Sequence, residues 1–357
     1  MRAPLIASPA DLDSIPDVPA VFLLWAGVGK PYLARTALLK RRLKRLISDR
    51  DRVSRLLNLR GIAERIEYWP MGSRLESSLL HLELAQKHFP EDWPRIVRLR
   101  PPAFVRLTID NPFPRTMVTT RLGRGLFYGP FASRAAAERF DGEMLDLFQI
   151  RRCEENLVPS PEHPGCIYGE MSKCLRPCQE VVTIEEYRSE ATRVEQFLRT
   201  SGGSLLETAE AARDRASAEM QFEAAARLHQ RVEKIVEVRG LGGELARAID
   251  KLNGVAVVRA PEIDAVDLLF LMGGRWLEAV RFTLGDAGES MDHRLRDVTG
   301  ALPGGGPPNM EHLSILTRWH GSSWRDGEWI AFESVEKIPY RKLVNAIGRV
   351  HGLKSAG

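Results

Sequence analysis

The stretch "YLARTALLKRRLKRL", residues Tyr32 to Leu46, leads from an aromatic hydroxyl into a strongly basic helix. Five of the six residues from Lys40 to Arg45 are Lys or Arg. On a helix that turns about 100° per residue, the leucines and the isoleucine of residues 38–47 share one arc, which predicts contact with a sheet. Arg42 falls inside this apolar arc. A charge aimed at a core needs an anionic partner or a cleft, unless the arginine snorkels to solvent at a domain edge.

Positive charge is concentrated around this stretch, although the whole chain has a formal net charge of only +4. Residues 30–60 contain eleven Lys and Arg against two acidic residues. A patch of this kind attracts polyanions because binding releases their condensed counterions. The pattern therefore indicates a nucleic-acid-binding surface, with an ordinary solvated helix face as the alternative.

Length and composition limit the class of protein. A chain of 357 residues predicts two or three domains. A hydrophobic fraction of 44% is enough for packed cores and argues against wholesale disorder. No apolar run reaches the roughly 18 residues that span a bilayer, and "MRAPLIASPADLD" lacks the apolar core of an export signal. We therefore expect a cytoplasmic protein that has no membrane partner.

Hydrophobic periodicity and turn residues predict an α+β protein with several domains. Two short strands, residues 19–23 and a segment around Tyr32, flank the turn "WAGVGKP". The predicted helices cover residues 37–48, 75–89, 133–148, 184–199 and 205–239, the last with a turn near residues 219–221. The further predicted strands are "FVRLTI", "TMVTTRL", "LFYGPF", "GVAVVRA", "AVDLLFLM" and "WLEAVRFTL", the last two joined as a hairpin at Gly273–Gly274. The linker "PGGGPP", a short strand and a helix close the chain.

The four cysteines of the chain lie in one loop-rich segment. They are Cys153, Cys166, Cys174 and Cys178, spaced C-x12-C-x7-C-x3-C. Such clustering differs from a disulfide framework spread through a secreted chain. Four thiolates in a Pro- and Gly-rich loop can hold either a tetrahedral zinc ion or a [4Fe–4S] cluster. The spacing alone does not separate these two, and four free cysteines are the remaining alternative.

The opening stretch, with the strand before it, resembles the GIY-YIG nuclease module. Ala20–Phe22 ("AVF") stands where that family has G-[IV]-Y, and Tyr32–Ala34 ("YLA") where it has Y-[IV]-G. The resemblance implies that Tyr32 and Arg42 match the tyrosine and the arginine that position water and the scissile phosphate. Phe22 stands in place of the family's first tyrosine and lacks its hydroxyl.

The resemblance also places the family's metal-binding glutamate. "LESSLLHLELAQKHFP" resembles E-A-L-L-L-E-x-N-L-I-K-K-Y-x-P, and anchoring on Glu76 and Pro90 puts that glutamate at His81. Mg²⁺ or Mn²⁺, the metals that an active nuclease of this kind would use, prefer carboxylate oxygen to imidazole. Glu76 and Glu83 share a helix face, so a displaced carboxylate is an alternative. We expect a crippled active site, because metal-assisted attack on a phosphodiester depends on the charge of a ligated metal.

Several other segments resemble the UvrC family of excinucleases. "FPRTMVTTR", "YGPFAS" and the cysteine run follow in order its F-P-R-x-x-V-T-R, Y-F-G-P-[FY] and R-x-C-…-R-C-x-x-P-C segments. The resemblance implies nucleotide excision repair of damaged DNA, with the UvrA–UvrB–DNA pre-incision complex as partner. It also favours a [4Fe–4S] cluster over zinc at the cysteines.

Residues 204–235 resemble the UVR motif, the helical hairpin through which UvrC contacts UvrB. Two short amphipathic helices bury little by themselves and gain from packing against a partner. An intramolecular hairpin is the alternative interpretation of the same pattern. His229 and Gln230 replace an Arg-Asp pair of the motif. The positions that match the motif are Phe222, Glu223, Ala225, Ala226, Leu228 and Val232.

The resemblance divides the chain into four segments. These are a small α/β GIY-YIG-like module at residues 15–95, a cysteine-rich α+β region at 100–200, the UVR hairpin at 202–240 and a β-rich segment at 250–357. We expect the RNase H-like and helix-hairpin-helix modules of the family to be absent, because too few residues follow the β-rich strands to form either.

Two hypotheses for the function follow, one that makes the chain an enzyme and one that makes it a binding protein. As an enzyme, the chain would make the 3′ incision beside a DNA lesion with a degenerate GIY-YIG site. As a catalytically inactive adaptor or regulator, it would dock on UvrB and on DNA. A third hypothesis makes the cysteine site a redox sensor. The predicted DNA-contacting residues are Lys40, Arg41, Lys44 and Arg45.

Overall fold

The computed structural model describes residues 2–27, 29–47, 59, 61–284 and 290–352. The chain forms two compact units. One combines Met1–Arg100, Asn253–Gly306 and Arg318–Gly357, and the other combines Pro101–Leu252 with Pro307–Thr317. Antiparallel sheets and packed helices make up both, so the predicted α+β class is confirmed. In these ranges we find no helix with the length and apolar character needed to cross a bilayer. The boundaries of the four predicted segments stay a prediction.

The first unit begins with a four-stranded antiparallel sheet. Its elements are β1 (Leu5–Ala7), β2 (Ala20–Trp25), β3 (Tyr32–Thr36), α1 (Leu39–Ile47), β4 (Arg65–Pro70), α2 (Arg74–His88) and α3 (Trp93–Val97). The strand order is β1–β4–β2–β3. The predicted strand pair is confirmed, with Leu24 opposite Tyr32, and so are the two predicted helices. The strands β1 and β4 are additional to the prediction.

Helices α1 and α2 cover opposite faces of this sheet. The buried residues on the α1 side are Ala20, Phe22, Leu24, Leu39, Leu43, Leu46, Ile66 and Tyr68. Those on the α2 side are Val21, Leu23, Trp69, Met71, Leu80 and Leu84. Because both faces are covered, β2 is apolar at nearly every position instead of alternating. Leu38 departs from the predicted apolar arc, because it precedes α1 and is 41% exposed.

The second unit has its own antiparallel sheet, in the order β6–β5–β7–β8 from one edge to the other. Its elements are β5 (Ala103–Leu107), β6 (Thr116–Thr119), β7 (Leu126–Phe131), α4 (Arg134–Leu145), α5 (Ile167–Glu170), α6 (Ile184–Arg199), α7 (Gly203–Ala218), α8 (Phe222–Gly240) and β8 (Arg247–Ala248). Aromatic residues of α4 and α6 pack on the sheet, among them Phe140, Tyr187 and Phe197. The Tyr187 hydroxyl donates to Pro114 O at 2.7 Å and accepts from Arg151 N at 2.9 Å, which fixes the start of the cysteine-bearing loop.

Helices α7 and α8 form the predicted hairpin, and its turn lies at residues 219–221 as expected. Ala209 of α7 packs against Val232 and Ile235 of α8. Small and branched apolar residues at helical spacing on the two facing surfaces let the helices approach closely. The hairpin therefore has a small core of its own.

From Asn253 onward the C-terminal segments belong to the first unit, except Pro307–Thr317, which belong to the second. They contain β9 (Asn253–Arg259), β10 (Ala265–Met272), β11 (Arg275–Trp276), β12 (Val280–Thr283), α9 (Met291–Gly300), α10 (Met310–His320), β13 (Glu328–Phe332) and α11 (Tyr340–His351). The sheet order is β11–β10–β9–β13, with β12 also paired to β10. The hairpin at Gly273–Gly274 is confirmed, and both glycines adopt the positive φ that such a turn demands.

Two details of this segment differ from the prediction. The single strand predicted over "WLEAVRFTL" is wrong, because it is broken into β11 and β12. Leu271 pairs with Trp276, whereas Leu268 pairs with Val280, so the register slips by one residue across residues 277–279, where Leu277 N still donates to Phe270 O at 2.8 Å. Helices α9 and α10 are also additional to the prediction, and the residues after position 290 are more helical than expected.

Candidate nucleic-acid interface and cysteine site

The predicted tyrosine and arginine are in direct contact. Arg42 donates a hydrogen bond from Nη2 to the Tyr32 Oη at 2.9 Å. Tyr32 opens β3, Arg42 lies in the first turn of α1, and both side chains are half-buried. The phenol is thus the polar partner that an arginine in the apolar arc needs. Because a guanidinium has five N–H donors, this contact leaves others able to reach a phosphate oxygen. The catalytic roles of both residues stay predictions.

Phe22 lies in the core beside this pair. Its side chain is completely buried, and its ring centroid lies 6.1 Å from that of Tyr32 at an interplanar angle of 50°. The ring supplies apolar packing and no hydrogen-bonding group. A phosphate that reached this face would therefore meet the phenol of Tyr32 and the guanidinium of Arg42, but no hydroxyl at Phe22, where the GIY-YIG pattern has its first tyrosine.

His81 is buried on α2 and is neutral at pH 7. Burial, together with the nearby charge of Arg35, lowers the pKa of His81 to about 4. The Nδ1 atom of His81 has no hydrogen-bond partner among the described residues. Arg35 itself donates to Ser78 Oγ, one turn earlier on α2, at 2.8 Å. A neutral imidazole beside a guanidinium does not offer the anionic oxygen that Mg²⁺ or Mn²⁺ prefers.

The sheet separates His81 from the tyrosine–arginine pair. Tyr32 lies opposite Leu24, which faces α1, whereas Arg35 lies opposite Val21, which faces α2. Successive side chains of a strand point to opposite faces, so Tyr32 and Arg35 belong to different sides. Within the part of the chain that the structure describes, no contact joins His81 to Tyr32, Arg42 or Phe22.

The two alternative carboxylates have different surroundings. Glu83 is exposed, whereas Glu76 is buried at the start of α2 and its Oε1 lies 3.4 Å from Arg2 Nη1. Arg2 also donates to Asp267 Oδ1 at 2.8 Å, and the fully buried Asp267 accepts from Arg281 Nε at 2.8 Å. Burial and the neighbouring Asp267 carboxylate raise the pKa of Glu76 to about 8. We call Glu76, Asp267, Arg2 and Arg281, all in the first unit, the buried carboxyl cluster. It uses Glu76 as a protonated structural acid.

Acidic residues near the N-terminus partly neutralise the basic helix. Lys44 Nζ lies 2.6 Å from Asp13 Oδ1, and Lys40 Nζ donates to Asp13 O at 2.8 Å. Arg41 Nε lies 3.1 Å from Asp17 Oδ2. Exposed ion pairs contribute only about 0–1 kcal/mol each, so phosphates can replace these carboxylates. The predicted DNA-contacting residues that are exposed or half-buried on α1 are Lys40, Arg41, Lys44 and Arg45.

The four cysteines come together in the second unit. All four are free thiols and line one cavity of about 20 Å³. His163 also lines it, but its Nδ1 accepts a hydrogen bond from Gly165 N at 3.1 Å, so the potential donor set is the four sulfurs. Across the described ranges, no group of three or more His, Cys, Asp or Glu side chains is arranged to hold a metal as it stands. Ligation would therefore require the cysteine side chains to close on the ion or cluster.

Hydrogen-bond donors point at two of the sulfurs. Arg176 N donates to Cys174 Sγ at 3.4 Å, and Arg151 Nη1 donates to Cys153 Sγ at 3.6 Å. Burial raises the pKa of the Cys174 thiol to about 11 and also raises the pKa of Cys178. These thiols are therefore protonated without a metal, and a metal that bound here would displace their protons. The donor chemistry fits a thiolate-ligated group.

Comparison with known proteins identifies the family. Residues 103–198, which run from β5 to α6 and contain all four cysteines, match the UvrC/Cho excinuclease middle domain. The chain is 24% identical over 329 residues to the UvrABC system protein C of Lachnospira eligens, across 87% of this chain and 53% of that protein. It is 30% identical over 249 residues to the UvrABC system protein C of Rickettsia africae, across 68% of this chain and 38% of that protein. The chain belongs to the UvrC family.

The match to UvrC-family proteins extends well beyond the middle domain. The UvrABC system protein C of Acetivibrio thermocellus is 22% identical over 291 residues, which is 80% of this chain and 46% of that protein. The chain spans about half the length of the curated relatives it matches, and less of some. No solved structure matches it.

The hairpin that resembles the UVR motif of UvrC presents an apolar tip to solvent. Phe222 at the start of α8 is 71% exposed, and Met220 in the preceding turn is 75% exposed. Val232 is instead buried against Ala209 and belongs to the core of the hairpin. The motif-matching residues that reach solvent are Phe222, Glu223, Ala225, Ala226 and Leu228.

Several residues of these sites were not predicted. Asp13 and Asp17 lie far from the basic run in sequence, and nothing in their own context marks them as its partners. Asp267 carried a signal, since it is the only charge in the apolar strand "AVDLLFLM" and a lone buried acid needs a partner. Arg151 also carried one, because it lies two residues before the first cysteine in "RRC".

Proposed function

We propose that this UvrC-family chain acts in nucleotide excision repair by binding damaged DNA together with UvrA and UvrB. The observation that carries the proposal is the Tyr32–Arg42 contact at the edge of a helix with cationic side chains. It holds a guanidinium half-buried beside the lysines of α1, where one phosphate can be bound and neighbouring phosphates attracted. The family supports the assignment to DNA repair, and the basic helix supports DNA as the ligand.

We further propose that the chain is a DNA- and UvrB-binding adaptor or regulator, with metal-dependent incision weakened or lost. Support comes from three positions of the GIY-YIG pattern. Phe22 has no hydroxyl, His81 is neutral and buried, and Glu76 belongs to the buried carboxyl cluster. None of these groups supplies a free carboxylate for Mg²⁺ beside Tyr32, and without the metal the phosphodiester lacks several kcal/mol of charge stabilisation.

The second candidate function is the 3′ incision itself, which the intact Tyr32–Arg42 pair favours. In that case Tyr32 would orient the attacking water, and Arg42 would stabilise the charge of the phosphate. A carboxylate would have to hold Mg²⁺ or Mn²⁺, and Glu83 is the exposed one on α2. This candidate requires α2 to present that carboxylate to the face of the sheet that carries Tyr32.

A nicking assay separates the two candidates. Purified protein would be incubated with UvrA, UvrB, a damaged duplex and either Mg²⁺ or Mn²⁺, beside an Arg42→Ala variant. The adaptor proposal expects no nicking above that of the variant. Incision on the 3′ side that disappears in Arg42→Ala would establish the enzyme instead.

DNA binding is tested separately, because an inactive protein must still bind. We expect Lys40→Gln combined with Lys44→Gln to weaken affinity for duplex DNA. The slope of log affinity against log salt should fall by about 2, because each removed charge leaves one phosphate without its cation. The double variant Lys337→Gln with Lys342→Gln, far along the chain from the basic helix, is the control. Equal losses of affinity in the two double variants would refute a specific interface on α1.

We propose a [4Fe–4S] cluster at Cys153, Cys166, Cys174 and Cys178, with zinc as the alternative. The common cavity, the sulfur-only donor set and the N–H donors toward sulfur support this. A cluster supplies one-electron chemistry and a cross-link between loops, whereas zinc supplies the cross-link alone. Protein isolated without oxygen would be analysed for iron, sulfide and zinc. Brown protein with four irons per chain favours the cluster, and colourless protein with one zinc favours the alternative.

We propose UvrB as the partner of the α7–α8 hairpin, through its exposed tip. Phe222→Ala should abolish or strongly weaken capture of UvrB, because an exposed aromatic residue is a typical anchor of an interface. Val236→Ala is the matched control, since Val236 is also exposed on α8 but lies outside the matched positions. Undiminished capture by the Phe222 variant would exclude the tip as the contact.

A further inference from the structure

Arg151 has an environment that its immediate neighbour does not share. Its side chain is buried, with the residue only 2% exposed. Nε donates to Phe113 O at 3.0 Å, and Nη1 donates to Glu155 O at 2.9 Å and to Cys153 Sγ at 3.6 Å. The described contacts thus give this guanidinium two carbonyl oxygens and a sulfur, and no carboxylate.

A buried charge without a counter-charge is costly, and carbonyl dipoles offset only part of that cost. The neighbouring Arg152 shows the usual solution. It lines the same cavity, but its Nη2 lies 2.8 Å from Asp146 Oδ1, so its charge is already paired. Arg151 is directed at sulfur instead.

We propose that Arg151 is the built-in counter-charge of the cysteine site, placed to balance a tetrathiolate centre and to hold it in place. This inference rests on the proposed cofactor. A zinc ion and an oxidised [4Fe–4S] cluster both leave a net negative charge when four thiolates bind them. Arg151 would donate to the sulfur of Cys153 and stabilise that charge inside the protein. It is a positioning residue, which acts on the bound group through one of its ligands.

Hydrogen bonds to ligand sulfur and nearby charge tune a thiolate-bound centre. Partners of this kind typically change metal affinity by about 10–100-fold when they are removed. For an iron–sulfur cluster, a nearby positive charge also stabilises the reduced form, so it raises the reduction potential. Both effects depend on the charge of residue 151, whereas the carbonyl contacts of Arg151 depend only on its donors.

The decisive comparison is Arg151→Lys against Arg151→Gln. Both variants shorten the side chain and disturb the contacts to Phe113 O and Glu155 O, yet only Lys keeps the charge. Thermal unfolding would first show that both variants fold. The metal and sulfide content of each would then be measured, followed by the rate of metal release to a chelator. Arg152→Gln is the control at the same cavity.

We expect Arg151→Gln to release its metal about 10–100-fold faster than Arg151→Lys and Arg152→Gln. If the group is a cluster, Arg151→Gln should also have the lowest reduction potential of the set. Equal release rates in the Lys and Gln variants, with wild-type protein that does hold metal, would overturn the role of Arg151 alone. Wild-type protein that takes up neither zinc nor a cluster would overturn this inference and the cofactor proposal together. DNA affinity, measured in parallel, tests the proposed repair function independently of either result.

Discussion

The two faces of the N-terminal sheet have different uses for their polar residues. On the α1 side, Tyr32 and Arg42 are half-buried and joined by one hydrogen bond, at the border of a basic surface. On the α2 side, Glu76 and His81 are buried. Burial raises the pKa of Glu76 and lowers the pKa of His81, so both favour the neutral form. The polar groups of the first face remain open to a ligand, whereas Glu76 and His81 of the second face are buried in the packing. Under the proposed adaptor function, the phosphate-binding side of the GIY-YIG pattern is kept and its metal-binding side is not.

The largest expected effect concerns the packing of the α2 side. A Cβ at Gly72, just before α2, would lie 2.1 Å from Arg259 O in the C-terminal sheet of the same unit. Backbone atoms cannot yield as a flexible side chain can, so Gly72→Ala should destabilise the protein by about 3 kcal/mol or more. Gly142→Ala in α4 is the control, since no atom lies within 4 Å of its Cβ position. Similar denaturant midpoints for the two variants would show that this approach of α2 does not matter for stability.

The next effect is a dependence of stability on pH that originates in the buried carboxyl cluster. The pKa of Glu76 is raised to about 8 from an ordinary value of 4.5, so the folded protein binds the extra proton. Its contribution to stability is fully present below about pH 4.5 and is lost as the pH rises through about 8. Each pKa unit corresponds to about 1.4 kcal/mol, so the loss is on the order of a few kcal/mol.

Glu76→Gln should remove this loss, and the melting temperature of the variant should exceed that of the wild type more at pH 8.5 than at pH 5. Asp267 and Arg2 face Glu76, and Arg281 faces Asp267 and is also paired with Glu262. His81 contributes with the opposite sign. Its pKa is lowered to about 4, so its contribution is present above about pH 6.5 and is lost as the pH falls through 4. Parallel melting curves of Glu76→Gln and wild type across this range would contradict the assignment.

A smaller effect is expected from restoring the missing hydroxyl. Phe22→Tyr recreates the first tyrosine of the GIY-YIG pattern, but Phe22 is completely buried among apolar residues. A hydroxyl without a partner there should cost about 1–3 kcal/mol. Under the adaptor proposal it should not restore incision, because no carboxylate is proposed to hold a metal beside Tyr32. Urea unfolding and the nicking assay measure the two outcomes. Nicking activity gained by this single change would show that the α2 side is competent after all.

The smallest effect concerns the acidic residues that form ion pairs with the basic helix α1. Asp13→Asn removes the carboxylate beside Lys44, so phosphates would no longer compete with it. We expect affinity for DNA to rise about two- to fivefold at low salt and the gain to shrink as salt screens the surface. Asp11→Asn, nearby but without an ion pair to α1 among the described contacts, is the control. A loss of affinity in Asp13→Asn would instead give Asp13 a role in shaping the surface.

Local patterns predicted much of the fold and one half of the candidate site. The helical arc of α1 placed Arg42 inward, and the structure gives it a polar partner there. The strands β2 and β10 were visible because apolar runs bounded by turn residues specify buried strands. The strand β4 was missed although Ile66 and Tyr68 alternate with polar residues, because the sequence before it contains no turn signal of recognisable length.

The remaining features depend on residues that are distant in the sequence. No local pattern indicates that Glu76 and Asp267 meet, or that Arg35 lies beside His81, since such contacts follow from how sheets and helices pack. The predicted catalytic set assumed that matching a family motif brings its residues together. The register of β2 and β3 instead keeps Tyr32 with Phe22 and Arg42 on one face and leaves His81 on the other.

The hairpin of α7 and α8 carries a consequence for the speed of association. Because Val232 and Ile235 pack against Ala209, the two helices of the hairpin are held together before any partner binds. A protein that binds Phe222 would meet a side chain on a preformed hairpin, so the hairpin would not have to fold during binding. The loss of chain entropy on binding would then be small, and a weak complex could form and dissociate rapidly.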